Sequence, residues 1–501
     1  MIPAAQIIPL FVAIPLGGAF LVALIGRKIP RLPDLMVSTA SLFLLVLAIY
    51  SVKLANAHGT IVYAVGNWTP PVGIAMVLDG LAAFMLVTVS LIGLFVALFS
   101  IGYMERFTAK WQFATLFLLM LAGMNGVIVA GDIFNLFVCL EIAAVASYAL
   151  VAFGTERHAL EAAFKYAVMG SLGSLFILLG IAWMYGYTST LNMADMAGVL
   201  RNTGASRMTL MTAVLFLAGF GLKAALVPFH AWLPDAHPSA PAPISAMLSG
   251  VLIKSLGVYA LCRIFYNVLG MTPALSAVLM FLGALSMGIG VVLAIGQWDM
   301  KRLLAYSSIS QIGYIVMGIG IGTPLGMLGG IFHLFNHSVF KSLLFLDAGA
   351  VEYATGTRDL KKIGGLARKM PVTSGTALAA AMSVGGVPPF SGFWSKLIII
   401  FAAVEAGHYG YAFWAVLAGV LTLAYAMKVI KYAFLGNPRA RCQNIKEVPV
   451  CMQLSMGILA LICILGGSLL LPGVREVFLE PASTVLAEGT WMAGRVLNGG
   501  R

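Results

Sequence analysis

The chain is 501 residues long, with 61% hydrophobic and 10% charged residues, and its mean hydropathy is +0.99. A soluble domain has about a quarter of its residues charged, so this composition excludes an ordinary soluble protein and indicates one embedded in lipid. The net charge of +12 does not indicate nucleic-acid binding, because the basic residues lie in short loops between apolar stretches. The five cysteines show no CxxC or CxxCH spacing, and the sequence predicts no cofactor, haem, iron–sulfur cluster or metal site.

Apolar stretches long enough to cross a bilayer recur along the chain, at about 20 residues per span. Together with the helix breakers, they predict an all-α polytopic membrane protein of about 14 transmembrane helices, at residues 4–26, 34–55, 75–103, 111–129, 131–153, 158–187, 207–233, 241–265, 273–295, 299–322, 324–352, 371–404, 409–435 and 449–471. The first stretch has no basic segment before it and no small-residue cleavage site after it. It is therefore predicted to be a retained helix and not a signal peptide.

The basic residues of the loops predict the orientation of the chain, because Lys and Arg accumulate in short cytoplasmic loops. With the N-terminus outside, 17 of the 30 basic residues, Arg441 among them, fall on the cytoplasmic side, and seven, including Arg263 and Arg501, fall outside. The sequence thus predicts a multi-pass protein of the cell (inner) membrane with both termini on the outer side. The six basic residues that remain are lysines inside predicted spans: Lys165, Lys223, Lys254, Lys341, Lys396 and Lys428.

The seventh and twelfth spans are predicted to be broken. Residues 223–234 read KAALVPFHAWLP and residues 385–396 read GGVPPFSGFWSK, each with a Pro-Phe pair beside aromatic residues and a lysine. Proline removes a helical hydrogen-bond donor, and backbone opened in this way at membrane depth is tolerated only where it lines protein or water. Paired broken helices in the two halves of a chain indicate an internally repeated transporter with its site at the breaks.

Lysines inside spans are suited to carrying protons. A charge at the centre of a bilayer costs about 2.5–3.5 kcal/mol on insertion scales, so residues of this kind are functional by default. A buried ammonium loses its solvation and can release its proton, whereas arginine stays protonated. Lys223, Lys254 and Lys396 are therefore predicted carriers. Lys428 lies near a helix end, where it can instead extend to the interface.

Glu141 lies midway along the fifth span, in DIFNLFVCLEIAAVASYAL. A carboxylate at this depth has to be protonated or paired, and a lysine on a facing helix is a suitable partner. Lys223, just before the first break, is the candidate. The alternative is that Glu141 only fixes two helices together.

His333, His337 and Lys341 recur every four residues and therefore share one helical face. Histidine titrates near neutral pH, so such a stripe could bind water and relay protons. The alternative is that each imidazole satisfies a buried backbone carbonyl. The same spacing also suits a metal pair, but the stripe has no carboxylate or cysteine nearby to complete a site.

Three further polar residues have two interpretations each. Lys165 follows Glu161 by four residues, so it is either a functional lysine or half of a surface ion pair. His230 and Asp235 belong to the broken stretch PFHAWLPDAHPSAP, where they could control the access of water or simply end helices.

Taken together, these motifs resemble a known family. FNLFVCLEI, LKAALVPFHAWLPDAHPSAPAPISAMLSGVLIKSLGVYAL, DMKRLLAYSSISQIGYI, FNHSVFKSLLFLDAG and GGVPPFSGFWSK resemble the antiporter-like subunits of respiratory complex I, the D-type component of Mrp sodium/proton antiporters and the corresponding subunits of energy-converting membrane-bound hydrogenases. The resemblance covers essentially residues 75–435. It implies 14 core helices, two inverted five-helix repeats with discontinuous helices 7 and 12, and a hydrophilic axis across the centre of the membrane.

The resemblance also implies roles and boundaries. Glu141 and Lys223 match the family's coupling ion pair, Lys254 its central lysine and Lys396 its terminal carrier. His333, His337 and Lys341 match the bridging helix, and Lys165 matches a lysine of some members. The implied segments are a three-helix N-terminal segment at 1–110, the two antiporter-like repeats at 111–270 and 271–435, and a C-terminal helix and tail at 436–501.

The sequence therefore predicts a proton-translocating subunit of a multisubunit redox-driven or cation/proton antiporter complex, with no chemistry of its own. Its expected partners are the lipid bilayer and other membrane subunits, including further antiporter-like ones, and the transported ion is the proton, with sodium as the alternative. Three other functions stay open from the residues: a stand-alone secondary transporter of a small solute or cation, a redox subunit with its own quinone or metal site, and a structural scaffold.

Overall fold

The computed structural model describes residues 4–204, 206–439, 442 and 445–497. Within this part of the chain, 11 helices are long and apolar enough to cross a membrane. In chain order the helices are α1 (Ala4–Ile25), α2 (Leu32–His58), α3 (Gly80–Arg106), α4 (Lys110–Val129), α5 (Ile133–Gly154), α6 (Arg157–Thr188), α7 (Met193–Thr203), α8 (Arg207–Lys223), α9 (Leu233–Ser239), α10 (Ala242–Val268), α11 (Pro273–Gly296), α12 (Met300–Gly320), α13 (Pro324–Thr355), α14 (Pro371–Gly385), α15 (Ser391–Glu405), α16 (Tyr409–Phe434), α17 (Val450–Leu470), α18 (Val474–Phe478), α19 (Glu480–Glu488) and α20 (Ala493–Leu497).

The prediction of a helical, polytopic membrane protein is confirmed. Three of the 14 predicted spans are not among the 11 long apolar helices of the described residues. Two of them are the broken spans, whose halves are short, and the third is α13, which has 32 residues but carries two histidines, a lysine, an aspartate and a glutamate. The count of 14 and the inverted repeats stay predictions.

Both predicted interruptions are confirmed. Helix α8 ends at Lys223 and α9 begins at Leu233, while α14 ends at Gly385 and α15 begins at Ser391. Each interruption contains an X-Pro peptide bond in the cis form, Val227–Pro228 and Pro388–Pro389. The backbone is therefore irregular beside Lys223 and a little before Lys396.

A small β-hairpin lies between α2 and α3, although the sequence predicted only helices. Strands β1 (Ile61–Ala64) and β2 (Ala75–Leu78) pair antiparallel, with Ile61 opposite Leu78. Strands of four residues are too short for an alternating pattern to stand out from the apolar runs that flank them. The hairpin lies in a connection between two spans, so it does not change the transmembrane fold.

Arg263 was counted with the outer loops, but it lies inside α10 and is only 9% exposed. Two of its nitrogens donate to the carboxylate of Asp79 at 2.7 and 2.5 Å, and a third donates to the Tyr259 hydroxyl at 2.9 Å. Asp79 also accepts from the backbone N–H of Ala82 and so caps the start of α3. The buried pair thus ties α10 to α3. Arg441 and Arg501, also counted in the prediction of orientation, lie outside the described residues.

Helices α11 and α12 pack so closely that their glycines touch backbone. A β-carbon on Gly313 of α12 would lie 2.5 Å from the carbonyl oxygen of Gly283, and one on Gly290 of α11 would lie 2.5 Å from the backbone nitrogen of Ser310. Small residues at such crossings let transmembrane helices approach each other. This contact positions the polar residues of α12 within the protein.

The close contact predicts that Gly313→Ala destabilises the protein. The added methyl group has no space, so overpacking should cost about 1–3 kcal/mol. Gly375→Ala is the matched control, because nothing lies within 4 Å of a β-carbon at that position of α14. The measurement is the thermal unfolding midpoint of the purified protein in detergent, and equal midpoints for the two variants would contradict the packing argument.

Candidate functional site

Glu141 and Lys223, predicted to be partners, lie together in the structure. Lys223 Nζ is 3.5 Å from Glu141 Oε1 and 3.4 Å from the hydroxyl of Tyr148. The Lys223 side chain is 4% exposed and that of Glu141 is 31% exposed. Ser174 of α6 donates a short hydrogen bond to the same Oε1. At 3.5 Å the contact is an ion pair longer than an ordinary hydrogen bond, so the amine is held loosely.

Aromatic rings enclose this pair on the side of the first break. Tyr148 meets Tyr166 edge to face, and Tyr166 stacks on Trp232 with ring centroids 4.2 Å apart. The indole nitrogen of Trp232 donates to the carbonyl of Leu222 at 3.1 Å. The irregular segment after α8 therefore folds back onto the end of that helix and fixes the surroundings of Lys223.

Lys254 lies in α10 where the helix widens. Residues Leu248–Leu252 and Lys254–Tyr259 are π-helical, a local form that is frequent at functional sites. Lys254 is fully buried, and its Nζ donates to the carbonyls of Ser249 and Gly250 at 2.7 and 2.6 Å. The amine is thus solvated by its own helix backbone.

Two serines of α12 lie between Lys254 and Lys341. The Ser249 hydroxyl is 2.7 Å from that of Ser308, and the next residue, Ser307, accepts a hydrogen bond from Lys341 Nζ at 2.6 Å. Lys341 Nζ also donates to the carbonyl of Leu304 at 3.0 Å. From the sequence these serines were recognised only as part of a family motif. Their signal was a run of polar residues, AYSSISQ, inside an otherwise apolar span.

The predicted histidine stripe of α13 is fully buried. His333 contacts Ser395 through Nδ1 at 2.9 Å and the side-chain oxygen of Gln311 through Nε2 at 3.2 Å. The ring of His337 lies parallel to that of His333 with centroids 6.2 Å apart. Neither nitrogen of His337 has a hydrogen-bond partner among the described residues, so backbone carbonyls do not account for this imidazole.

Lys396 lies in α15, after the second break. Its Nζ donates to the carbonyl of Val384 at 2.7 Å and lies 4.9 Å from the ring centre of Tyr314. The adjacent Ser395 contacts His333, so the lysine and the histidine stripe meet at this point. The carbonyl that holds Lys396 belongs to the last turn of α14.

Lys165 lies apart from this buried line, in a charged mouth. It is 48% exposed and forms ion pairs with Glu161 at 2.8 Å and with Asp235 at 3.3 Å. Asp235 also pairs with Arg302. These residues line a polar cavity of about 400 Å³ that is also lined by His158, Asp299 and Arg358. The geometry favours the ion-pair interpretation of Lys165.

Two other predicted residues, His230 and Lys428, lie at a helix break and at a helix end. His230 is half-buried in the first break, and its Nδ1 has no partner within the described part of the chain. Lys428 donates to the carbonyls of Ile295 and Gln297 at 2.8 and 2.7 Å and lies over the ring of Trp298. Lys428 therefore binds the end of α11.

Two buried ionisable residues near the axis were not among the predicted site residues. His237 stacks on Phe345, and both of its nitrogens lack partners among the described residues. Asp347 of α13 is 1% exposed. The signal for Asp347 was available, because a carboxylate within a predicted span stands out. His237 lies in a stretch whose polar residues were expected to end helices.

Sequence comparison places the chain among known membrane proteins. A family model described as "NADH:quinone oxidoreductase/Mrp antiporter, TM" matches residues 130–422, and one described as "NADH-Ubiquinone oxidoreductase (complex I), chain 5 N-terminus" matches residues 65–114. The chain is 39% identical to NADH-quinone oxidoreductase subunit N of Desulforudis audaxviator, with 88% of each chain covered. It is 37% identical to the D-type Na(+)/H(+) antiporter subunit of Alkalihalophilus pseudofirmus, with 84% of this chain and 85% of that one covered.

A solved structure gives the same result for the fold. A chain of the Mrp complex from Dietzia sp. DQ12-45-1b superposes with a TM-score of 0.91 at 29% identity, covering 99% of this chain and all of that chain. The resemblance inferred from the motifs is therefore confirmed, since both the sequence and the fold match over most of the chain. The chain belongs to the family of antiporter-like transmembrane subunits that NADH:quinone oxidoreductases and Mrp antiporters share.

Proposed function

We propose that this chain translocates protons as one subunit of a larger membrane complex. The observation that carries the proposal is a line of polar groups inside the protein at membrane depth. It contains the Glu141–Lys223 pair, Lys254, Lys341, the stripe of His333 and His337, and Lys396. Charged groups at this depth usually mark ion pathways.

The surroundings of three lysines support a proton as the transported ion. Among the described residues, Lys254, Lys341 and Lys396 donate only to carbonyl and hydroxyl groups and form no ion pair. Such acceptors hold an ammonium, but they do not supply the negative charge that would fix its proton permanently. A sodium ion needs oxygen ligands, and here the amines already occupy those carbonyls. An amine can instead take up a proton and release it.

The loose contact between Glu141 and Lys223 supports a role in coupling. Moving one charge against 100 mV requires about 2.3 kcal/mol. Opening or closing a partly buried ion pair changes energies by a comparable amount. In the proposed cycle, protons reach Lys223 or Lys254 from the cytoplasmic side, pass the serines of α12 and the α13 stripe, and leave through Lys396. A change in the distance between Glu141 and Lys223 drives the steps.

The exposed surface around Glu141 supports the proposal that another membrane subunit binds to this chain. Its carboxylate is 31% exposed on a face where Phe134, Val138 and Val145 are also exposed, by 42–59%. A carboxylate facing hydrocarbon is costly, so another subunit should cover this face. Because relatives of this chain are subunits of Mrp and NADH-quinone oxidoreductase complexes, a further antiporter-like subunit fits best.

The organisation of the chain is part of the proposal. Residues 111–270 and 271–435 form two inverted repeats, each with one broken helix, after a three-helix segment at 1–110. Residues 436–501 form the C-terminal helix and tail. Both termini lie on the outer side, so the charged mouth around Asp235 opens to the cytoplasm.

The coupling role predicts that Glu141→Gln lowers proton translocation. Glutamine can still accept the hydrogen bond of Ser174, but it carries neither a negative charge nor an exchangeable acidic proton. We expect the rate to fall about tenfold or more, which corresponds to a rise of about 1.4 kcal/mol in the activation free energy of translocation. The measurement is dye-detected proton uptake by proteoliposomes that contain the intact complex. Glu405→Gln, at the exposed end of α15, is the control, and equal rates for the two variants would reject the coupling pair.

The proposal further predicts that Lys396→Arg stops translocation although the positive charge is retained. Arginine stays protonated, so it can hold the carbonyl of Val384 but cannot release a proton. Lys428→Arg is the matched control, since Lys428 only binds helix-end carbonyls, and it should keep the wild-type rate. The same proteoliposome assay compares the two variants, and transport by Lys396→Arg would exclude titration at this position.

The orientation can be tested with introduced cysteines. Residues His58 and Lys369 are exposed at opposite membrane faces in the proposed topology. A membrane-impermeant thiol reagent should label His58→Cys in intact cells and Lys369→Cys only in inverted vesicles. The opposite labelling pattern would reverse the orientation of the whole chain.

A further inference from the structure

Asp347 is a buried carboxylate that the proposed proton path does not yet use. It lies on α13, six residues beyond Lys341, which is about 9 Å along a helix axis at 1.5 Å per residue. Its Oδ1 accepts a hydrogen bond from the hydroxyl of Thr376 at 2.8 Å. Its Oδ2 is buried and has no partner among the described residues. No ion pair of a described residue involves Asp347, so nothing balances a negative charge there.

Asp347 lines a small cavity whose other lining side chains are apolar apart from Tyr425. The space open to a water molecule is about 10 Å³, close to the least volume that holds one. Leu304 and Val384 also line the cavity, and these are the residues whose carbonyls hold Lys341 and Lys396. Tyr425 lines it too, and its hydroxyl contacts the Ser307 that binds Lys341. The cavity thus brings Asp347 beside residues that hold Lys341 and Lys396, although the two lysines do not line it themselves.

On its other side, Asp347 connects to the membrane surface through α14. Thr373 and Thr376 are three residues apart and share a face of this helix. Glu447, in the loop before α17, accepts from the Thr373 hydroxyl at 2.6 Å and from the backbone N–H groups of Val372 and Thr373. Glu447, Thr373, Thr376 and Asp347 thus form a row of oxygen groups that leads from the loop into the protein.

We propose that Asp347 is a proton-loading site, which passes protons from the Glu447 side to Lys341 or Lys396 in every transport cycle, a step that the Glu141–Lys223 pair does not perform. This inference rests on the proposed function. An ionised carboxylate without a cation partner is costly in the interior, so Asp347 is stable when it holds a proton and gives it up only when an amine of the axis is neutral. The unpartnered Oδ2 and the cavity provide the place for this transfer.

The step is balanced in protons and charge. The O–H bond of the protonated Asp347 breaks and an N–H bond forms on the neutral amine, through a water molecule in the cavity. This leaves a carboxylate and an ammonium, which attract each other across the cavity. A proton from the Glu447 side then restores the acid. The other ionisable groups that face this region are the Cys463 thiol of α17 and the Tyr425 hydroxyl of α16.

Asp347→Asn is the sharpest test, because asparagine keeps the size of the side chain and can still accept from Thr376. In proteoliposomes with the intact complex, we expect translocation to fall about 100-fold, the lower end of what a positioned acid or base contributes. An infrared difference spectrum between high and low pH should show the carbonyl band of a protonated carboxylic acid in the wild type. Asp347→Asn should lose this band.

The comparison with Glu141→Gln separates the two proposals. If Asp347→Asn transports at the wild-type rate while Glu141→Gln does not, Asp347 is not a loading site and the proposed function stands. Wild-type rates in both variants would overturn the proposed function as well. If Asp347→Asn does not assemble, Glu447→Gln decides, since the amide oxygen can still accept from the Thr373 hydroxyl, although the amide nitrogen cannot accept from the backbone N–H groups of Val372 and Thr373. A slower rate than in Glu405→Gln supports the route, and an equal rate rejects it.

Discussion

The structure depends on how the protein accommodates amines in an apolar interior. Each of the three lysines deepest in the axis donates to backbone carbonyls or hydroxyls within 2.6–3.0 Å. A regular helix uses its carbonyls in its own hydrogen bonds, so free acceptors arise where the helix is irregular or ends. The π-helical turns at Lys254 and the end of α14 at Lys396 supply such places. Irregular backbone thus supplies the acceptors of Lys254 and Lys396, whereas Lys341 uses the Ser307 hydroxyl and the Leu304 carbonyl of the regular helix α12.

The helix breaks could be predicted from the sequence, whereas the contacts of the buried lysines could be predicted only in part. A Pro-Phe pair near a lysine marked both interruptions, since proline excludes a helical hydrogen bond whatever the surroundings. The Glu141–Lys223 contact was predicted from the need to pair a carboxylate, which is also a local argument. By contrast, the π-helical turns of α10 carry no recognisable pattern in SGVLIKSLGVYAL. They depend on packing, such as the close approach of Gly257 to Ala224.

Other parts of the site could not be predicted from the sequence because they join distant segments. The part that the α12 serines play in the site is visible only in the fold, where Ser308 lies beside Ser249 and Ser307 beside Lys341. Arg263 was assigned to a loop because its partner Asp79 is 184 residues away. Asp347 was overlooked for a different reason, since the periodicity of four along α13 ends at Lys341. Patterns along one helix can be predicted, whereas the pairing of helices requires the fold.

A division between two kinds of buried charge runs through the molecule. At the membrane faces, basic residues are held by carboxylates: Arg263 by Asp79 at 2.5 Å, Arg358 by Asp299 at 2.5 Å and Lys301 by Glu352 at 2.9 Å. Such pairs fix the protonation state of both partners, and removing one partner is destabilising. Lys254, Lys341 and Lys396 have neutral acceptors instead, so either protonation state can be accommodated, whereas Lys223 pairs with Glu141. Among the described residues, the buried arginine, Arg263, is paired with a carboxylate. The proposed proton transfer accounts for this division, because a site that releases a proton cannot be built from arginine, which stays protonated.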